Sequence, residues 1–116
     1  MRGLNKMNYK IYLDDIRSPK LDRENWSICR DVRQAQDMIL EYGCPNYISF
    51  DYDLGKNAPT GYDFAKWLIE EHVSKNIRIP ANFDFNVHSA NPVNAKNISE
   101  YLKQYLSDYL FYEARN

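Results

Sequence analysis

Polar side chains follow three apolar stretches of this sequence, at the points where β-strands are predicted to end. They are Asp14 and Asp15 after KIYL, Asp51 and Asp53 in ISFDYDLG, and His88 with Ser89 after FDFNV. In an open parallel sheet, ligands bind at the carboxyl ends of the strands. We therefore expect the carboxylates and the imidazole to meet at one edge of a sheet and to form a site there.

The four aspartates predict a metal site. Asp51 and Asp53 are two residues apart, so an extended chain would direct both side chains to the same face of the sheet. Four neighbouring carboxylates cannot all stay ionised without a counter-charge. A hard divalent cation with oxygen ligands supplies that charge, and Mg²⁺ is commonly shared between carboxylates and substrate phosphates. We therefore predict Mg²⁺, or Mn²⁺, with a phosphate beside it.

Predicted strands alternate with predicted helices, which favours an α/β fold with a parallel sheet. The strands are predicted at residues 10–14, 26–30, 47–54 and 83–88, and the helices at 32–42, 61–75 and 98–110. Asp31 and Thr60 are residue types that cap helices, and Asp63 completes a capping box with Thr60. Residues 15–25 are few for a parallel crossover, so we expect a compressed, mostly nonhelical connection. The strict alternation in FDFNVH indicates an edge strand with one wet face.

The composition is that of an ordinary globular domain. Of 116 residues, 44% are hydrophobic and 27% are charged, and the net charge of −1 provides no bulk basic field for nonspecific nucleic-acid binding. No apolar run is long enough to span a membrane, and the first residues lack a signal-peptide core. We expect a cytoplasmic protein with Cys29 and Cys44 as reduced thiols. We also expect one domain at residues 10–112, between tails at 1–9 and 113–116.

The motifs YLDD, FDYDLGKNAPTGYDFAKWL and VHSAN resemble the receiver domains of response regulators. In that family an acidic pair after the first strand binds magnesium, an aspartate after the third accepts a phosphoryl group, and a Thr or Ser after the fourth contacts it. Asp53 lies eight residues before Gly61, as the phosphoacceptor does in receivers, and Ser89 matches the Thr/Ser position. Asp53 is therefore the counterpart of the phosphoacceptor under this resemblance.

The departures from receivers identify a more specific resemblance. A fifth strand with its lysine has no evident equivalent, the first helix is missing or reduced to a loop, and Asp51 and His88 are additions. The set LDDIRSP, ISFDYDLG, TGYDFAKWL and VHSANP is similar to the cyclic-phosphate-processing receiver-like domains. This resemblance implies a reduced flavodoxin/receiver-like three-layer fold whose small sheet has the strand order 2-1-3-4. It also implies an enzyme acting on a cyclic phosphate of a nucleotide or an RNA end.

Roles follow from this resemblance together with the residue types. The predicted metal ligands are Asp14, Asp15 and Asp53; the predicted catalytic residues are His88, Asp53 and Asp51; and the predicted phosphate-binding residues are Arg17, Ser89 and Asn91. His88 would act as a general acid or base. Asp53 is a nucleophile or a ligand, while Asp51 completes the metal shell or positions a water. Purely structural roles stay open for these residues, because Ser, Asn and Asp also build turns and a lone histidine often serves only as a hydrogen-bonding group in the fold.

Three functions remain open at this level. The first is a metal-dependent phosphoesterase that processes a cyclic phosphate. The second is a divergent receiver that signals or binds a partner without turnover. The third is a degenerate domain whose carboxylates serve only solubility and turns, which we rank last because such groups need not gather at one sheet edge.

Overall fold

Four strands build the sheet of this computed structural model, which describes residues 9–115, apart from the side chains of residues 23 and 110–115. They are β1 (Lys10–Leu13), β2 (Trp26–Cys29), β3 (Tyr47–Phe50) and β4 (Asp84–Val87). All neighbours pair in parallel, in the order β2-β1-β3-β4, which confirms the predicted topology. β3 ends at Phe50 rather than at residue 54, so Asp51 and Asp53 lie in the loop that follows it.

Three α-helices connect and follow the strands: α1 (Val32–Tyr42), α2 (Gly61–Val73) and α3 (Pro92–Arg115). The predicted caps are confirmed, because the Asp31 carboxylate accepts from the Gln34 N–H and a full capping box joins Thr60 to Asp63. The β1–β2 connection contains only a short 3₁₀ helix, Arg23–Asn25, as its length predicted. α3 begins well before the predicted position, because the Asn91 Oδ1 accepts from the N–H groups of Val93 and Asn94.

The hydrophobic core lies on one face of the sheet. Side chains of the strands that are fully buried there include Ile11, Leu13, Ile48 and Phe50. They share a core cluster with buried residues of all three helices, among them Ala35 and Ile39 of α1, Phe64 and Leu68 of α2, and Ile98 and Leu102 of α3. Burial of one such large apolar side chain stabilises the fold by roughly 1.5–3 kcal/mol.

The receiver-like class is confirmed, and the layering is simpler than the predicted three layers. Among residues 9–115, the three helices pack on the same face, so the sheet and one helical layer form the core. The physical reason lies in the β1–β2 connection. A helix there would cover the second face, but the described connection is a loop with one 3₁₀ turn. The second face therefore carries the side chains of alternate strand residues, and no helix of residues 9–115 lies over them.

Four further observations concern the edge strand, the first described residue, the cysteines and the helices. Asp84 and Asn86 of β4 are exposed, so the predicted wet face of an edge strand is confirmed. Tyr9 already belongs to the fold, since its hydroxyl donates to the Gly43 carbonyl at 2.7 Å; residues 1–8 of the predicted tail, and residue 116, lie outside the described residues. Cys29 and Cys44 are buried free thiols. Among the described helices, none combines the length and apolarity that a membrane span requires.

Candidate functional site

Asp14 forms the centre of a polar cluster at the carboxyl edge of the sheet. It directly follows β1 and has no solvent exposure. Its Oδ1 accepts from the N–H groups of Ile16 at 3.0 Å and Arg17 at 2.8 Å. Its Oδ2 accepts from the Arg17 Nε at 2.8 Å and is 3.0 Å from the His88 Nε2. A carboxylate offers about four acceptor positions, so the protein itself fills those of Asp14.

Arg17 joins Asp14 to a second buried carboxylate, Asp51. Its Nη2 donates to the Asp51 Oδ2 at 3.2 Å, and the other Asp51 oxygen accepts from the Tyr52 N–H at 2.8 Å. The Arg17 side chain remains 48% exposed, so it lies between the carboxylates and solvent. Arg30 fixes this loop by donating to the carbonyls of Asp14 at 3.1 Å and Arg17 at 2.6 Å. The counter-charge that the aspartates require is thus supplied in part by Arg17 itself.

The two buried carboxyl groups have pKa values shifted in opposite directions. Burial raises the pKa of Asp14, but the N–H donors of Arg17 and Ile16, with His88 and the Arg17 charge, outweigh it and hold the pKa below its ordinary value. Burial also raises the pKa of Asp51, and the negative charge of Asp14 raises it further; Tyr52 and Arg17 offset this only in part. Opposed shifts in a carboxyl pair separate a permanently ionised group from one suited to accept a proton.

His88 is held on both ring nitrogens. Its Nε2 faces Asp14, while its Nδ1 is 2.7 Å from the hydroxyl oxygen of Ser49, a buried residue of β3. The ring also stacks on Tyr12, with centroids 4.5 Å apart and planes within 6°. Since a carboxylate only accepts, a neutral His88 carries its proton on Nε2 and accepts the Ser49 proton at Nδ1. Asp14 therefore sets the tautomer of the neutral His88 ring, and Ser49 helps to fix its orientation.

A metal ion can be held by Asp14, Asp51 and His88. One ligand atom from each of these residues lies within 4.8 Å of the others. The predicted ligand set overlaps this group in Asp14 and differs in Asp15 and Asp53. Asp53 is exposed, and its Oδ1 accepts from the Gly55 N–H at 3.0 Å. Its carboxylate does not join the buried cluster because β3 ends before Asp51, so the alternation of an extended strand no longer applies.

A cavity of about 570 Å³ opens at this cluster. Its walls bring together many of the predicted site residues: Asp15, Arg17, Asp51, Asp53, Ser89 and Asn91, with Lys56 and Asn94. Ser89 accepts from the Asn91 N–H at 3.2 Å, and Asn91 caps α3, so both side-chain oxygens also build the turn. Those bonds leave the Ser89 hydroxyl proton and the Asn91 amide protons as donors. Arg17 and Lys56 place positive charge at the cavity beside the carboxylates of Asp15, Asp51 and Asp53, and its volume is large enough for a phosphate ester.

Several members of the site were not predicted from sequence. Ser49 lies in a predicted strand between Ile48 and Phe50, whose side chains enter the core. Alternation along the strand places Ser49 on the opposite face, and this was the available signal. Arg30 and Lys56 carried no motif that placed them. Lys96 lines a separate groove of about 690 Å³ between β4 and α3, and its Nζ lies 3.8 Å from the Glu100 Oε2. That groove is larger, but the smaller cavity is the one lined by Asp51 of the cluster and by Arg17, which donates to Asp14.

Comparisons with known proteins agree with this geometry. A family model described as the cyclic-phosphate processing receiver domain matches residues 9–104. No curated protein gives a significant match to this chain, and no solved structure does so either. The matched segment includes every strand, the cluster at the sheet edge and the cavity lining. The chain therefore belongs to the family of cyclic-phosphate processing receiver domains.

Proposed function

We propose that this protein is a metal-dependent phosphoesterase that opens a cyclic phosphate on a nucleotide or a nucleic-acid end. The observation that carries the proposal is the cluster of Asp14, Asp51 and His88, with ligand atoms within 4.8 Å of one another, beside a cavity lined by Asp51, Arg17, Ser89 and Asn91. The family description supports the substrate class. A purely structural carboxylate cluster would have no need of a polar cavity in front of it.

The donor set fits a divalent cation such as Mg²⁺ or Mn²⁺. Carboxylate oxygens suit both ions, so Asp14 and Asp51 would hold the cation, which leaves the His88 Nε2 to carry a proton. In the described part of the chain, Asp51 accepts one hydrogen bond on each oxygen and so keeps acceptor capacity toward the cavity. Asp14 would have to exchange its bond from Arg17 for the cation. When bound, such a cation would neutralise phosphate oxygens and favour attack at phosphorus.

The side chains of this protein account for the proton transfers. A water oxygen forms the new bond to phosphorus, and Asp51, which lines the cavity, takes the proton of that water. One phosphorus–oxygen bond of the ring breaks, and protonated His88 gives its Nε2 proton to the leaving oxygen. The neutral ring then keeps its other proton on Nδ1, facing Ser49. Asp14 orients the imidazole, and Asp53 at the cavity rim is the alternative nucleophile or cation ligand.

Arg17 is expected to change partners during this cycle. Asp14 and Asp51 would hold the cation, and the guanidinium of Arg17, which is already half exposed, would then turn to phosphate oxygens together with Ser89 and Asn91. Arg17 therefore acts first as an internal counter-ion and then as a phosphate ligand. This exchange links cation binding to substrate binding.

The direct test is turnover of a panel of 2′,3′- and 3′,5′-cyclic nucleotides and cyclic-phosphate oligonucleotides, with Mn²⁺, with Mg²⁺ and with EDTA. We expect turnover that EDTA abolishes. His88→Asn is expected to lower kcat by about 10²–10⁴-fold, the usual contribution of general acid–base catalysis. His72→Asn is the matched control, since His72 lies on α2 against Tyr105 and away from the cavity. Unchanged turnover in His88→Asn would remove the acid role.

Arg17→Gln gives a second test, in which two constants move in opposite directions. Removing a charge-assisted bond that competes with the cation should tighten Mn²⁺ binding by about ten- to a hundredfold, since such a bond contributes roughly 1.5–3 kcal/mol. The same change should raise KM for the cyclic phosphate. Calorimetric titration with Mn²⁺ and steady-state kinetics give the two constants. Arg33→Gln is the control, because Arg33 pairs only with Asp37 on the surface of α1. Weaker Mn²⁺ binding in Arg17→Gln would contradict the exchange.

A divergent receiver module is the second candidate. Its support is the exposed Asp53, which shares the cavity with Ser89 and Lys56, an arrangement suited to a phosphoacceptor. Incubation with a divalent cation and acetyl phosphate, followed by intact mass measurement, tests it. An adduct that is lost in Asp53→Asn supports the module. Absence of an adduct together with cyclic-phosphate turnover supports the phosphoesterase.

A further inference from the structure

The sheet face opposite the helices carries a row of aromatic residues. Strand register places Lys10 of β1 between Trp26 of β2 and Tyr47 of β3, and Tyr12 lies one step nearer the site on the same face. We call Lys10, Tyr12, Trp26 and Tyr47 the aromatic face. All four side chains are half-buried, so each keeps part of its surface in solvent. The described helices pack against the other face.

The aromatic face is ordered by contacts among its own members. Trp26 meets Tyr12 edge to face, with centroids 5.6 Å apart, and meets Tyr47 in the same way at 5.9 Å. The Lys10 Nζ lies 4.4 Å from the centre of the Trp26 ring. Rings fixed by such contacts lose little conformational entropy when a ligand packs on them. The exposed Asp84 and Asn86 of β4 border the face with polar groups.

This face continues directly into the proposed catalytic site. Tyr12 stacks on His88, whose Nε2 faces Asp14. A strand rises about 3.3 Å per residue, so along β1 Tyr12 lies about 7 Å from Asp14. Trp26 and Tyr47, which pair with Lys10, lie about 13 Å from Asp14 in the same direction. A ligand with its phosphate at the cavity would thus have its adjoining body near Tyr12 and Trp26, and a further anionic group near Lys10.

We propose that the aromatic face binds the nucleobases of the substrate, which makes that substrate a single-stranded nucleic-acid end rather than a small non-nucleotide ester. This inference rests on the proposed function and adds the substrate class. A single strand combines the two chemistries that the surface offers, namely planar bases for Trp26 and Tyr47 and backbone phosphates for Lys10. Aromatic side chains bind bases of any sequence through their π-faces. The chain has a net charge of −1, so electrostatic attraction to the strand depends on single cations such as Lys10.

Tryptophan fluorescence tests the location. The chain has two tryptophans, and Trp67 stacks on Phe64 on the helical side. In Trp67→Phe, therefore, Trp26 is the single reporter. We expect saturable quenching by a short RNA with a 3′-phosphate and none by inorganic phosphate. In Trp26→Phe, where Trp67 reports, the same RNA should leave the emission unchanged. Quenching that appears with rising protein concentration alone, without RNA, would show that a second copy covers the face and would overturn the proposal.

Substitutions at the far end of the face separate this proposal from the catalytic one. Tyr47→Ala should weaken RNA binding by about ten- to a hundredfold, the range for loss of one stacking platform. Lys10→Gln removes a phosphate contact, so it should weaken RNA binding and lessen its dependence on salt. Both variants should turn over a small non-nucleotide cyclic phosphate, such as glycerol 1,2-cyclic phosphate, like the wild type. Unchanged RNA affinity in both variants would overturn the proposal. Trp26 quenching by RNA in a protein that turns over no cyclic phosphate would support the base site while refuting the phosphoesterase.

Discussion

Gly61→Ala is expected to unfold the domain or to lower its free energy of unfolding by about 3 kcal/mol or more. A Cβ at residue 61 would overlap the carbonyl oxygen of Asp51 and lie 2.9 Å from its carbonyl carbon. Both atoms belong to the backbone, so no side-chain rotation can relieve the overlap. The Gly61 N–H also donates to the Tyr52 carbonyl at 2.8 Å, which holds the first turn of α2 against the loop that carries Asp51.

Two opposite effects on the free energy of unfolding can be expected for Gly61→Ala, so the sign of the measured change distinguishes them. By helix propensity alone, alanine in place of glycine would stabilise a helix by about 1 kcal/mol. Urea unfolding followed by circular dichroism distinguishes the two expectations. Gly55→Ala is the control: its Cβ would have only Asp15 Oδ2 nearby, at 3.8 Å, but its φ of 119° is unfavourable for alanine, so we expect a loss of about 1–2 kcal/mol. Wild-type stability in Gly61→Ala would show that the loop can move aside.

The fold was largely predictable because its signals are local. Apolar alternation located the four strands, and short-range side-chain bonds at Asp31 and Thr60 located the starts of α1 and α2. The start of α3 was misplaced, since an apolar pattern marks only the buried stretch of a helix and Asn91 was interpreted as a phosphate ligand or a turn residue. The layering also differs from the prediction. The three-layer arrangement was inferred from a family resemblance, whereas the β1–β2 connection of this chain lacks the helix that would cover the second face.

The site was predictable in its location but only partly in its contacts. Strand ends brought Asp14, Asp51 and His88 together as expected from a parallel sheet. The division between Asp51 and Asp53 was not accessible, because it depends on β3 ending at Phe50. The position of Arg17 between two carboxylates depends on a loop geometry that no periodicity encodes. Sequence patterns thus indicate which residues lie at the carboxyl edge of the sheet. The hydrogen bonds that these residues form depend on the conformations of the loops after the strands.

Asp14→Asn is expected to abolish binding of the divalent cation and to reduce turnover by at least about 10³-fold. The amide removes the negative charge and turns a donor toward the Arg17 Nε and the His88 Nε2, both of which are now bonded to Oδ2. His88 then loses the acceptor that orients it. We expect a loss of about 2–3 kcal/mol in stability, the cost of hydrogen bonds to a buried charge. The loss of stability is limited because the half-exposed Arg17 guanidinium can form hydrogen bonds with water instead.

Thermal unfolding with and without Mn²⁺ separates the loss of binding from the loss of stability. A cation that binds the folded state stabilises it by RT ln(1 + [L]/Kd), about 2.7 kcal/mol at a hundred times Kd. Mn²⁺ should therefore raise the Tm of the wild type and leave that of Asp14→Asn unchanged, although both proteins are folded. Asp37→Asn is the control, since its exposed pair with Arg33 contributes little, and it should respond to Mn²⁺ like the wild type. A full Mn²⁺ response in Asp14→Asn would exclude Asp14 as a ligand and leave Arg17 as its permanent counter-ion. A response lost only in Asp14→Asn would show that this carboxylate exchanges Arg17 for a cation.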